Sequence, residues 1–415
     1  MVPAFAATTT SGDLGSKAQT PATAYYLVGM NGLHNGELES AELAFKQSLQ
    51  LEPNRIDSRV GLAKVALKRG QVEVANDYVQ QAIALAPEHV EVKTVWARLL
   101  ASQQKYEEAE AALKEAIALD PTNMSARVDL ADLYFLAMQK PQEAIAVYRE
   151  ALRVDPAYPS AHFGLGMALI SSGDQQGAQQ ELEEASRLAP ENPLPLQALA
   201  RLYVEQRRYD QALETYAKAL KAQPKFMPAY MDRGEIFLLQ GNDELAMAEY
   251  EEALKRDPAF APAHVKMGMV HQRRNRPGKA EGSYRAAIEL DPQQAVAYNN
   301  LAWLAARDPS RLSEAAAWAQ KAVALVPNAA QFQDTLGWVY RAQGRLNEAA
   351  SALERASALD AKIADIFYHL GIVYSEQGRS AQAREALEKA LSLNERFPEA
   401  KDAQQRLKQL SRRGT

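Results

Sequence analysis

The sequence predicts an all-α solenoid of about eleven helical hairpins, closed by one further helix at its C-terminal end. Three observations predict it. Proline recurs at Pro53, Pro87, Pro121, Pro156, Pro190, Pro224, Pro258, Pro292 and Pro327, spaced by 34 residues with two gaps of 35, and the phase runs on through Ala361 and Glu395. Twelve residues before every one of these marks stands alanine, from Ala41 and Ala75 to Ala349 and Ala383. Twelve or thirteen residues further back stands only glycine or alanine, from Gly29 and Ala63 to Gly337 and Gly371. One period held over this length marks a repeat architecture, in which each unit buries its apolar face against its neighbours.

Residues 1–21 stand outside the period. Ala4-Phe5-Ala6 has the small-x-small form of a signal-peptide cleavage site, so export to a bacterial periplasm is expected. The alternative is a disordered Ala/Thr/Ser leader on a cytoplasmic protein.

The array itself spans 22–397, and residues 227–260 show its unit. Tyr230, Gly234 and Phe237 fall one helical turn apart, as do Ala246, Tyr250 and Ala253, which predicts two amphipathic helices. Gly241 and Asn242 end the first helix, because both tolerate the backbone angles of a helix terminus. Asp257-Pro258 ends the second, since proline has no N–H to donate. The small residues let helix backbones approach, and a large side chain there would overpack the joint by roughly 1–3 kcal/mol. A third small residue sits five before the proline, alanine in ten units and Ser48 in the first. Tyr203, Phe237 and Tyr374 on first helices fill the gaps, together with Phe45, Tyr148, Tyr216, Tyr250 and Tyr284 on second helices. The two 35-residue units are expected to carry their extra residue between the helices, near Pro141 and Pro309. Residues 398–415 close the array with a capping helix, in which Ala400, Ala403, Leu407 and Leu410 make the apolar stripe and Pro398 suits the first turn.

The period, the small–small–proline framework and the aromatic fillers resemble the tetratricopeptide (TPR) repeat over residues 22–397. Gly32, where the family usually has an aromatic, is the main departure and falls in a terminal unit. The resemblance implies a right-handed superhelix whose concave groove receives peptides or extended segments. Two specialised grooves are not matched. Chaperone-tail clamps need Lys at position 5 and Asn at position 9 of one first helix, and no unit has both. The sugar-transferase superhelix carries a ladder of Asn at position 6, where this chain has only Asn300. The phrases YNNLAWLAA, DTLGWVYRAQGR and YHLGIVYSEQGR are similar to C-terminal units of bacterial envelope TPR proteins, some of which serve exopolysaccharide synthesis and export.

Composition narrows the chemistry. The chain has 415 residues, mixed charge and a net charge of only −5, which gives no electrostatic case for nucleic acid. It has no apolar run long enough for a membrane span. With no cysteine, thiolate metal sites and cysteine nucleophiles are excluded. His162 and His264 take the position that Tyr230 and Tyr298 hold elsewhere, so packing explains them better than ligation. His264 and His271 lie seven apart on one face but lack a third ligand. Glu183-Glu184 and Glu251-Glu252 fall on a solvated outer face, and the basic run 271–279 has no aromatic stacking platform. No cofactor, metal or catalytic residues are assigned.

The expected function is therefore a non-enzymatic scaffold that binds a protein or peptide segment. A recognition arm for a separate chain, such as a glycosyltransferase or synthase, is the alternative, with a cytoplasmic assembly scaffold as a third reading. First-helix positions 4, 8 and 11 share the packing face, which leaves positions 2, 5, 9 and 12 for the groove. Most repeats place mixed residues there. The eighth to tenth differ, with Met269, Gln272 and Arg273, then Asn299 and Trp303, then Asp334, Trp338 and Arg341. Two tryptophans, an amide, a carboxylate and arginines are hot-spot residue types. The tryptophans are read as groove residues, with extra core packing as the alternative.

Overall fold

The structure, a computed structural model, describes residues 20–413. Among these residues every regular element is helical, with no strand. Paired helices run from Pro21–Asn35 and Leu38–Leu51 to Ala364–Glu376 and Ser380–Leu393, making eleven hairpins, and a last helix covers Ala400–Arg413. This is the all-α array of helical hairpins expected. The chain divides into two compact units, one up to Thr215 and one from Tyr216 onward. Within each unit, successive helices pack in order and first helices also touch the next first helix.

The small positions lie where the backbones close on each other. Every alanine of the series Ala41 to Ala383 is fully buried, as is the third small residue from Ser48 to Ala390. Ser48 keeps its hydroxyl satisfied there, donating to the Ala22 carbonyl and accepting from Ser58, both at 2.8 Å. Phe45, Tyr148, Tyr216, Tyr250 and Tyr284 are completely buried beside these contacts. A Cβ on Gly268 would stand 2.5 Å from the Tyr284 ring. That is far inside van der Waals contact, so the ring excludes a methyl.

The turns have two chemical devices. After the first helix of every repeat but the ninth the chain passes through a left-handed residue, Gly241 at φ +77° for example, while Gln104, Gln139, Arg207 and Asn275 do the same at φ +53 to +63°. After the second helix, the aspartate before the proline accepts a backbone N–H two residues on. Asp120, Asp155, Asp257 and Asp291 all make this bond, at 2.9–3.0 Å. The proline therefore stops the helix and the aspartate shapes the exit.

One expectation is corrected. In the ninth repeat the extra residue does fall between the helices, in a 3-10 turn at Pro309–Arg311. In the fourth it is absorbed inside the first helix as a π turn, Leu133–Ala137, and the second helix begins with Pro141 after a turn of three residues, as between Ser102 and Tyr106 in the third repeat. The widened turn pushes Leu136 outward, leaving it 72% exposed. The last helix begins at Ala400, with Pro398 just before it, and buries Ala400, Ala403 and Leu410 together with Phe397. Ala4-Phe5-Ala6 and most of the leader lie outside the described residues.

Candidate functional site

The first helices of the ninth, tenth and eleventh repeats (Ala295–Ala305, Ala330–Ala342 and Ala364–Glu376) bring four of the candidate residues together. Their centre is His369, at position 6 of the eleventh. Its ring lies 4.2 Å from that of Trp338 and 6.1 Å from that of Trp303. Its Nδ1 is 2.8 Å from Asp334 Oδ1, with both residues buried. The Arg341 guanidinium lies 4.4 Å from the Trp338 ring centre and grips Glu376 with two nitrogens, Nε at 3.0 Å from each carboxylate oxygen. Trp338 is thus flanked by two planar groups within 4.4 Å of its ring centre. Among the described residues, the ring contact of Trp303 is the more distant one with the histidine. Both indoles are half-buried.

The face is less open than its spacing suggests. Position 5 is buried in Val60, Thr94, Val128, Met231, Val265 and Asp334 alike. Asn299, at the same position of the ninth repeat, donates from Nδ2 to Asn300 at 3.3 Å. Its Oδ1 is shielded from solvent yet accepts no hydrogen bond from the protein. A buried acceptor left alone forfeits its hydration, which costs roughly 1–3 kcal/mol.

Met269, Gln272 and Arg273 form no bonded group with these residues. Met269 is exposed, Gln272 accepts from the buried Tyr284 hydroxyl at 3.1 Å, and Arg273 reaches back to Asp243 and the Leu238 carbonyl. His369 is not singled out by spacing within its own helix. A register rule would have found it: position 9 of one first helix meets position 6 of the next. Arg98 bonds Asp129, Glu235 bonds Lys266, and Trp338 stacks on His369, each pair 31 residues apart.

The remaining polar clusters are occupied structurally. His162 sits between Glu181 at 2.6 Å and the Pro156 carbonyl at 3.0 Å. Burial lowers the pKa of both His264 and His271. Glu184 pairs with Arg187, and Glu252 with Lys255 and Arg256, one helical turn away. Within the basic run, Arg273 and Arg274 are bound to Asp243 and Glu244.

Comparison with known proteins agrees with this geometry. Tetratricopeptide repeat models match residues 135–202, 198–259, 265–330 and 364–397, and a TPR repeat model matches 97–137 and 337–378. A model of anaphase-promoting complex, cyclosome, subunit 3 matches 34–116. No curated protein matches the chain. Among solved structures it is similar to a chain of the APC/C hetero-tetramer Cut9–Hcn1, at 15% identity and TM-score 0.50, over 94% of this chain and 96% of that one. Yeast Tom70 is similar at 15% identity and TM-score 0.50, over 95% and 96%. At such identities the likeness is one of fold. The matched repeats together run over more than half of the sequence, and the chain belongs to the tetratricopeptide repeat family.

Proposed function

We propose that this protein-interaction scaffold receives a peptide or extended segment of its partner on the first-helix face around Trp303, beside Met269, Gln272 and Arg273. The observation that carries the reading is the row on three successive first helices of two half-buried indoles, Trp303 and Trp338, with the buried His369 ring beside them. Within it the roles differ. Trp338, flanked by Arg341 and His369, holds the row in place with Asp334 behind it. Trp303 offers the freer indole. Indole half-covered by its own protein gains area when a partner completes the cover. The test is to substitute Trp303 and Trp338 separately by alanine and follow folding and partner capture together. Trp303→Ala is expected to stay folded and lose capture, while Trp338→Ala lowers stability. Undiminished capture by folded Trp303→Ala places the partner elsewhere.

The setting we propose is a bacterial envelope or polysaccharide-export assembly in the periplasm, supported by the Ala4-Phe5-Ala6 triplet and the C-terminal repeat phrases. Cell fractionation with N-terminal sequencing tests it, and an intact Met1 in the cytoplasm rules it out. Copurification of a transferase or synthase would instead make the array that enzyme's recognition arm.

A further inference from the structure

The first-helix face of the first three repeats carries different chemistry. Positions 9 and 13 hold Met30 and His34, then Lys64 and Lys68, then Arg98 and Ser102, each pair four residues apart and so on one side of its helix. With Leu33 and Leu67 these residues line an open groove of about 520 Å³, and no carboxylate lines it among the described residues. Two of the cations are steadied by carboxylates outside the groove, Lys64 by Glu91 at 3.3 Å and Arg98 by Asp129 at 2.7 Å. Lys68 is not. Its Nζ donates to the Leu33 carbonyl at 3.2 Å, and it forms no ion pair among the described residues. Beyond Arg98 lies a second hollow of about 290 Å³, lined by Asp129 and Asp132 beside Leu133 and Leu136, so the basic character of the face ends at Arg98.

We propose that this groove docks an acidic amphipathic segment of a partner protein. Its carboxylates face Lys68 and Lys64, and its apolar side chains rest on Leu33 and Leu67. Charge complementarity selects the sign of the partner. The aliphatic floor selects its class, because Met30, Leu33 and Leu67 give nucleic-acid bases nothing to stack on. The inference rests on the reading that first-helix faces receive partners, but it concerns repeats of the other unit. Its test is therefore separate from the capture experiment at Trp303.

Fluorescence anisotropy of the full chain with a short labelled peptide of Glu and Leu provides that test, beside its Lys-for-Glu counterpart and a single-stranded oligonucleotide. The acidic peptide is expected to bind, to weaken as salt is raised, and to lose about tenfold or more in affinity with Lys68→Glu. Trp303→Ala is expected to leave it unchanged. Lys68→Gln, which removes the charge without reversing it, should give an intermediate loss and serves if Lys68→Glu unfolds. No binding by wild type, wild-type affinity in both Lys68 variants, or tighter binding of the lysine peptide or the oligonucleotide overturns the proposal.

Discussion

At His369 one imidazole both bonds Asp334 and stacks on Trp338, so its loss removes two contacts at once. His369→Ala leaves a buried carboxylate without its donor and is expected to cost roughly 1–3 kcal/mol, read from chemical denaturation of the second unit. Tryptophan fluorescence should change in the same variant. The opposite sign is expected at Arg207. It holds φ +60° in a turn where other repeats place glycine, and a left-handed non-glycine residue is strained by roughly 1–2 kcal/mol. Glycine's greater freedom in the unfolded chain offsets part of this, so Arg207→Gly should stabilise by about 0.5–1 kcal/mol, visible as a raised denaturation midpoint. Neither effect follows from the spacing of prolines, since both depend on which atoms the turn and the stack bring together. The candidate site was legible at Trp303, Asp334, Trp338 and Arg341, whose residue types stand out at fixed positions. Its hub was not, because a lone histidine signals nothing until the offset between neighbouring helices is known.

The second helices carry the array's largest buried side chains, and two predictions concern them. Gly268→Ala drives a methyl into the Tyr284 ring and should cost roughly 1–3 kcal/mol. The second uses the phenols themselves. Burial pushes Tyr284 up to about 12, does the same for Tyr374 on a first helix, and raises Tyr148 and Tyr250 as well. An unfolded tyrosine ionises near 10, so the folded state holds these protons more tightly. The stability this represents is fully present below about pH 10 and is lost as pH rises through about 12. The last part of the tyrosinate absorbance, from these buried phenols, should therefore appear together with the loss of helical circular dichroism, and ionisation of all seventeen tyrosines with intact helices would contradict the prediction. At this scale the hairpins were fully legible, because small and large residues alternate in phase. The π turn was not. Counting from proline to proline shows that a residue has been added, and helix hydrogen bonding decides where it goes.

For the whole molecule, the last helix covers the apolar face of the eleventh repeat. Phe397, Ala403 and Leu410 are buried with the eleventh repeat, and the Tyr368 hydroxyl bonds Asp402 at 2.8 Å. Truncation after residue 397 is expected to lower the melting temperature and to increase hydrogen exchange first in residues 364–393. The unit up to Thr215 should be unaffected, since stability in such arrays is passed between neighbours. A uniform loss of protection across both units would contradict that. The solenoid class, the hairpins and the closing helix were all legible in the sequence, because every unit repeats one solution to the same burial problem. What sets one stretch of the face apart from another was only partly legible, since it lies in departures from that solution.

The bonds that tie first helices together join residues 27 to 35 apart. Every partner a new hairpin needs has therefore just been synthesised when that hairpin leaves the ribosome. Folding can follow translation from one end, without waiting for a distant segment, and such low contact order favours speed. The same locality governs inheritance. Gain or loss of one whole period restores every register at the seam, whereas a fraction of a period breaks it. Length is thus free to vary across generations while the joints stay the same.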